Sequence, residues 1–160
     1  MNSLKPVHRV LFVCHGNICR STMAESVFTE LVRQAGRSDE FIIDSAATST
    51  EEIGNSPHYG TVTKLRQMGV PLVPHRARQV RGDEYSDWDL IIGMDNANIR
   101  NLRRIFKHEP EAQADSCAKV IKLLSLAGSD RDVADPWYTG NFDVTYEDVL
   151  AGCEALLKQL

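Results

Sequence analysis

The amino-acid sequence predicts a single-domain, three-layer α/β/α fold on a four-stranded parallel sheet. Three observations carry that expectation. Short apolar runs alternate with stretches of helical periodicity along the chain. The runs are continuously apolar, as strands covered on both faces are. The length of 160 residues suits one domain, 1–160, with a real core and no need of disulfide staples or a structural metal.

Taken in order, Arg9–Val13 reads as the first buried strand. Ser21–Ala35 reads as a helix, because Met23/Ala24, Val27/Phe28 and Leu31/Val32 recur on one face, and Gly36 ends it. Phe41–Ile43 is a second strand, and Pro57–Met68 a second helix closed by Gly69. Leu90–Ile92 forms a third strand after Trp88. Asn96–Phe106 is a helix that stops before Pro110, and Val120–Leu124 a fourth strand. Tyr146–Leu157 is the last helix, with Val149/Leu150, Cys153 and Leu156/Leu157 facing inward. No repeat, linker or low-complexity stretch interrupts this order.

Composition narrows the function classes. Charged residues make up 25% and the net charge is -4, so a nonspecific nucleic-acid footprint is not expected. The start, Met1 to His8, is polar, and the apolar run after it is too short for a signal-peptide core. No segment reaches the length of a membrane span. Four cysteines, Cys14, Cys19, Cys117 and Cys153, are too sparse for a secreted disulfide scaffold. A cytoplasmic protein with reduced thiols is expected.

Ligands of such sheets bind at the carboxyl ends of the strands. The loop there is Cys14-His15-Gly16-Asn17-Ile18-Cys19-Arg20-Ser21, between the first strand and its helix. A phosphate or similar oxyanion needs converging N–H donors and a positive field, and a loop entering a helix N-terminus supplies both. Gly16 and Asn17 tolerate the left-handed backbone that turns amides inward. Arg20 adds a planar fork for two oxygens. The same field stabilises a thiolate at Cys14, a nucleophile aimed at phosphorus. The Ser21 hydroxyl can hydrogen-bond that sulfur. Cys-x5-Arg alone is a weak signal; strand, cysteine, glycine, Arg-Ser and helix together are far rarer.

An acid must protonate the leaving oxygen. His15 is the only candidate inside the loop. Asp135-Pro136-Trp137-Tyr138 offers another, with Pro136 stiffening a turn around the aspartate. Trp137 and Tyr138 can wall a slot for an aromatic ring. A plain Asp-Pro turn is the alternative reading of this segment.

The loop V-C-H-G-N-I-C-R-S, the segment Ile43-Asp44-Ser45-Ala46 and the late Asp135-Pro136-Trp137-Tyr138 resemble the low-molecular-weight protein tyrosine phosphatases, from about Arg9 onward. The resemblance implies phosphotyrosine hydrolysis with Cys14 as nucleophile, Arg20 as phosphate clamp and Asp135 as general acid and base. The other loop residues, His15, Gly16, Asn17, Ile18, Cys19 and Ser21, would surround the phosphate, with Trp137 and Tyr138 beside the substrate ring. Asn17, Ser21, Ser45 and His75 match positions that hold the loop in shape. Cys19 matches a cysteine that forms a reversible disulfide with Cys14. No metal or organic cofactor is implied. The partner would be a tyrosine-phosphorylated protein, such as a tyrosine kinase, with neither nucleic acid nor membrane.

One departure concerns Thr50-Glu51-Glu52, where well-known members of that family often carry a bulky aromatic or apolar wall residue. Two glutamates there are expected to disfavour acidic sequence beside the phosphotyrosine. Rival readings within the fold are an arginine phosphatase, which would carry threonine where Ile18 stands, and an arsenate reductase, which needs a further cysteine pair that Cys117 and Cys153 do not form. A cysteine phosphocarrier or phosphate-binding module would not need both Arg20 and Asp135.

Overall fold

The structure, a computed structural model, describes residues 7–160. The polar segment before Val7 lies outside the described residues. Four strands, β1 (His8–Cys14), β2 (Phe41–Ala47), β3 (Leu90–Gly93) and β4 (Val120–Lys122), form one sheet in the order β2-β1-β3-β4. All three pairings are parallel. The helices are α1 (Arg20–Gln34), α2 (Tyr59–Gln67), α3 (Asn96–Ile105), α4 (Pro110–Ala114), α5 (Pro136–Thr139) and α6 (Phe142–Gln159).

Side-chain alternation along β1 divides the core. Val10, Phe12 and Cys14 face one layer with Met23, Phe28 and Val149, beneath α1 and α6. Leu11 and Val13 face the other with Tyr85, Leu102 and Phe106, beneath α3. β1 is therefore central and buried on both faces, lying between β2 and β3, and the loop leaves its carboxyl end.

Several boundaries differ from expectation. β4 ends at Lys122, because Leu123–Ala127 turns into a 3-10 segment against α6. Gly152 permits that approach, since a Cβ there would lie 2.3 Å from Leu123 Cγ. The last helix begins at Phe142, four residues early, capped by Asn141 Oδ1 on the Asp143 and Val144 amides. Pro110 starts the short α4 as an N1 proline. Asp135 to Tyr138 is not a plain turn: Asp135 caps the one-turn helix α5.

Candidate active site

One side chain, that of Asn17, ties the loop after β1 to several neighbouring segments. Asn17 is fully buried with φ 59°, the left-handed conformation that asparagine tolerates. Gly16, expected to share that conformation, does not adopt it. Its lack of a side chain serves packing instead: a Cβ there would meet Glu52 Cγ at 3.4 Å.

The Asn17 side-chain amide donates to Ser21 Oγ at 2.8 Å and to Ser45 Oγ at 3.0 Å. Its Oδ1 lies 2.7 Å from His75 Nε2 and accepts the Arg78 backbone N–H at 3.2 Å. All four of its bonding positions are used, so the amide has one orientation. Ser45 passes the link on, donating to Glu25 Oε1 at 2.6 Å. Glu25 and His75 are buried together, with 3.6 Å between Nδ1 and Oε1. Burial pushes the Glu25 carboxyl up to about 7 and lowers His75. Arg78 anchors the far end, 3.1 Å from both Asp44 and Glu84.

Above this floor sits Cys14, 3% exposed. Its Sγ accepts the Asn17 backbone N–H at 3.3 Å and lies 3.0 Å from Ser21 Oγ. The Ser21 oxygen already accepts from Asn17, which leaves its proton free to point at sulfur. Cys19 is also buried, and burial raises its thiol to about 12. Both thiols are free.

Arg20 is 3% exposed, and its fork is held from two sides. Nη1 lies 2.9 Å from Asp95 Oδ2 and donates to Val133 O at 3.1 Å. Nη2 lies 3.3 Å from Asp135 Oδ2. The two aspartates work alike. Asp95 caps α3 with Oδ1 on Asn98 N–H at 2.7 Å, and Asp135 caps α5 with Oδ1 on Trp137 N–H at 3.0 Å. Each turns its other oxygen to Arg20.

The backbone before Asp135 is clamped from α6. The Ala134 N–H donates to Asp148 Oδ2 at 3.1 Å, and Thr145 Oγ1 donates to Ala134 O at 2.8 Å. Arg131 holds Asp148 in turn with two bonds, of 2.9 and 2.7 Å.

These groups open into one cavity of about 360 Å3. Cys14, Ile18, Arg20, Asp95 and Asp135 line its depth, while Glu51, Asn101, Trp137 and Tyr138 line its mouth. Trp137 and Tyr138 stand exposed there, and His58 meets the Trp137 ring edge-on at 6.2 Å. His15 lies over the mouth and pairs with Glu51 at 3.1 Å. Glu52 also lines the cavity, its Oε2 accepting from Asn55 at 2.6 Å. Ser45 and His75 lie beneath the floor, outside the cavity lining.

Asp95 and Glu25, which were not singled out in the sequence, complete the arrangement together with Arg78. A legible signal existed for Asp95: it follows a strand's carboxyl end, opens a helix, and stands three residues before Asn98 in capping-box spacing. Glu25 and Arg78 carry no local signal, because their partners lie 20 or more residues away or on other loops.

Comparison with known proteins agrees with this geometry. The family described as low molecular weight phosphotyrosine protein phosphatase matches residues 9–160. A low molecular weight phosphotyrosine protein phosphatase of Mus musculus is 40% identical over 94% of each chain. The crystal structure of YfkJ from Bacillus subtilis superposes with a TM-score of 0.89 at 39% identity, covering 98% of this chain and 96% of that one. A Drosophila arginine phosphatase shares the fold with a TM-score of 0.79 at 30% identity, covering 94% of this chain and 96% of that one.

Proposed function

The chain belongs to the low molecular weight phosphotyrosine protein phosphatases and is a protein tyrosine phosphatase; on that premise we propose how its residues divide the work. One domain carries the whole reaction. Cys14 Sγ, as thiolate, attacks phosphorus of the phosphotyrosine ester. The ester oxygen leaves with the proton of Asp135, and a phosphocysteine remains. Water then attacks phosphorus, Asp135 takes its proton, and the Cys14 thiolate departs with free phosphate as product. Ser21 donates to the departing sulfur. Arg20 and the loop amides hold the equatorial oxygens, whose charge spreads in the transition state. Asp95 positions Arg20, and the Thr145–Asp148 clamp positions Asp135. Trp137, Tyr138 and Ile18 flank the substrate ring.

The observation that carries this reading is the convergence of Cys14, Arg20 and Asp135 on one cavity. Hydrolysis of an aryl phosphate in excess EDTA tests it, with wild type against Cys14→Ser. Activity in the wild type and a loss of about 1,000-fold or more in the variant is expected. Activity that survives the substitution removes Cys14 from the role of nucleophile.

The partners would be tyrosine-phosphorylated proteins, tyrosine kinases among them, met in the cytoplasm. Among the described residues no helix is long and apolar enough to cross a membrane. Under peroxide, Cys14 would become a sulfenic acid that condenses with the Cys19 thiol, giving a disulfide and water and sparing Cys14 from deeper oxidation. A phosphoarginine substrate is the second reading that the fold admits. Ile18 at the cavity wall opposes it, since it offers no hydroxyl to a guanidinium group. An arsenate relay finds no support in Cys153, fully buried under α1, or in Cys117, packed on the other face of the sheet.

A further inference from the structure

The two sides of the cavity mouth differ in free charge. On the β2 side stand the carboxylates of Glu51, against His15, and of Glu52, which accepts from the neutral Asn55 amide. On the β3 side runs α3, whose Ala97 and Asn101 line the cavity. The helix repeat sets Arg104 about 20° and Arg100 about 60° around the axis from Ala97, with Lys107 just beyond. All three are exposed cations. None makes an ion pair among the described residues; the contact Arg104 makes is through Nη1 to Asn101 Oδ1 at 3.2 Å, toward the mouth. In a chain of net charge -4, this is a concentrated basic stripe that starts at the edge of the catalytic cavity.

An unneutralised stripe of this kind costs stability through self-repulsion, and its field extends about one Debye length, roughly 8–10 Å at ordinary salt. One or two residues beyond a phosphotyrosine seated in the cavity fall within that reach. We propose that Arg104 and Arg100 form a specificity subsite for acidic residues beside the phosphotyrosine, on the α3 side. The inference rests on the phosphatase reading and deepens it. It also gives the expected effect of Glu51 and Glu52 a direction: acidic sequence is accepted over α3, and neutral or basic sequence over the β2 loop. The substrate chain therefore crosses the mouth in one polarity. Deep in the cavity the chemistry is unaffected, because Arg104 touches Asn101 and none of the groups around Cys14.

The test uses the whole chain with three kinds of substrate: an aryl phosphate, phosphotyrosine peptides with aspartates on one side, and the same peptides with lysines there. Aspartates are placed before and after the phosphotyrosine in separate peptides. The measured quantity is kcat/KM for the acidic peptide over that for the lysine peptide. In the wild type this ratio exceeds one for a single placement of the aspartates. Arg104→Glu lowers it about fivefold, Arg100→Glu/Arg104→Glu lowers it further, and Arg104→Lys keeps most of it. Raising NaCl from 0.05 to 0.5 M shrinks the wild-type ratio toward one. An equal ratio in wild type and double variant overturns the subsite. So does an equal preference for both placements. Loss of binding to anionic vesicles in the double variant, with the peptide ratio unchanged, would likewise overturn it and assign the stripe to a lipid surface. A wild type inactive on the aryl phosphate fails the phosphatase reading itself, which separates the two conclusions.

Discussion

The floor and the mouth of the cavity are built by opposite rules. On the floor, Asn17, Ser21, Ser45 and Arg20 are almost wholly buried, and each polar group has a partner. At the mouth, Trp137 is 65% and Tyr138 86% exposed, and the charged side chains form single, solvent-facing contacts. A buried network is rigid because every broken bond leaves an unsatisfied group, whereas an exposed contact exchanges with water at small cost. Phosphate geometry is the same in every phosphotyrosine substrate, so the rigid part recognises it. Flanking sequence varies, and the loosely held rim meets it.

Asn17→Ala probes the floor most severely. It removes a partner from each of Ser21, Ser45, His75 and the Arg78 amide, and leaves φ 59° without the side chain that compensates. A loss of about 3 kcal/mol in urea unfolding is expected, with kcat/KM on an aryl phosphate down about 100-fold. If stability fell while kcat/KM held, the floor would be structural only, and the contrast with the mouth would break.

The second probe is pH. Burial holds the Glu25 carboxyl near 7, above the ordinary carboxylate range of the unfolded chain. Between about pH 4.5 and 7 the native state therefore binds more protons than the unfolded state, and this group's contribution falls as pH rises through that window. Glu25→Gln keeps an acceptor for Ser45 and removes the titration. The stability lost between pH 5 and pH 8 is expected to be about 2 kcal/mol smaller in the variant than in the wild type. Equal losses would mean that Glu25 ionises without cost and that the floor is wetter than its burial indicates.

Trp137→Ala tests the mouth and carries the smallest effect. It removes an apolar wall while leaving the Trp137 backbone N–H on Asp135 intact. KM for a phosphotyrosine peptide should rise about fivefold, and kcat/KM for a small alkyl phosphate should hold. A kcat loss shared by both substrates would show that the ring also places the Asp135 segment, and the division between floor and mouth would need redrawing.

Much of this molecule could be read before it was seen. The strand order in the chain, the loop after β1 and the roles expected of Cys14, Arg20 and Ser21 follow from local rules: continuous apolar runs, a helix N-terminus, and residues seven apart at most. The resemblance added Ser45 and His75 and gave the candidate acid Asp135 its role, and the structure brings the first two onto Asn17 and the third onto Arg20. Harder to read were the element ends at Lys122 and Phe142, where packing of Leu123 on Gly152 and an Asn141 cap override the apolar pattern.

What the sequence determined by itself is therefore the fold class and the chemistry of the loop, since both depend on neighbours along the chain. Tertiary structure alone decided which distant groups complete the site. Asp95 reaches Arg20 across 75 residues because β3 lies beside β1, and Glu25 becomes a buried acid only when β2 and the segment at His75 close over it. The polarity of the mouth is decided in the same way. Glu51 and Glu52 set carboxylates on one side, and no carboxylate among the described residues reaches Arg100 or Arg104 on the other. Charge in a sequence is only a count; whether a charge is free to act depends on what the fold sets beside it.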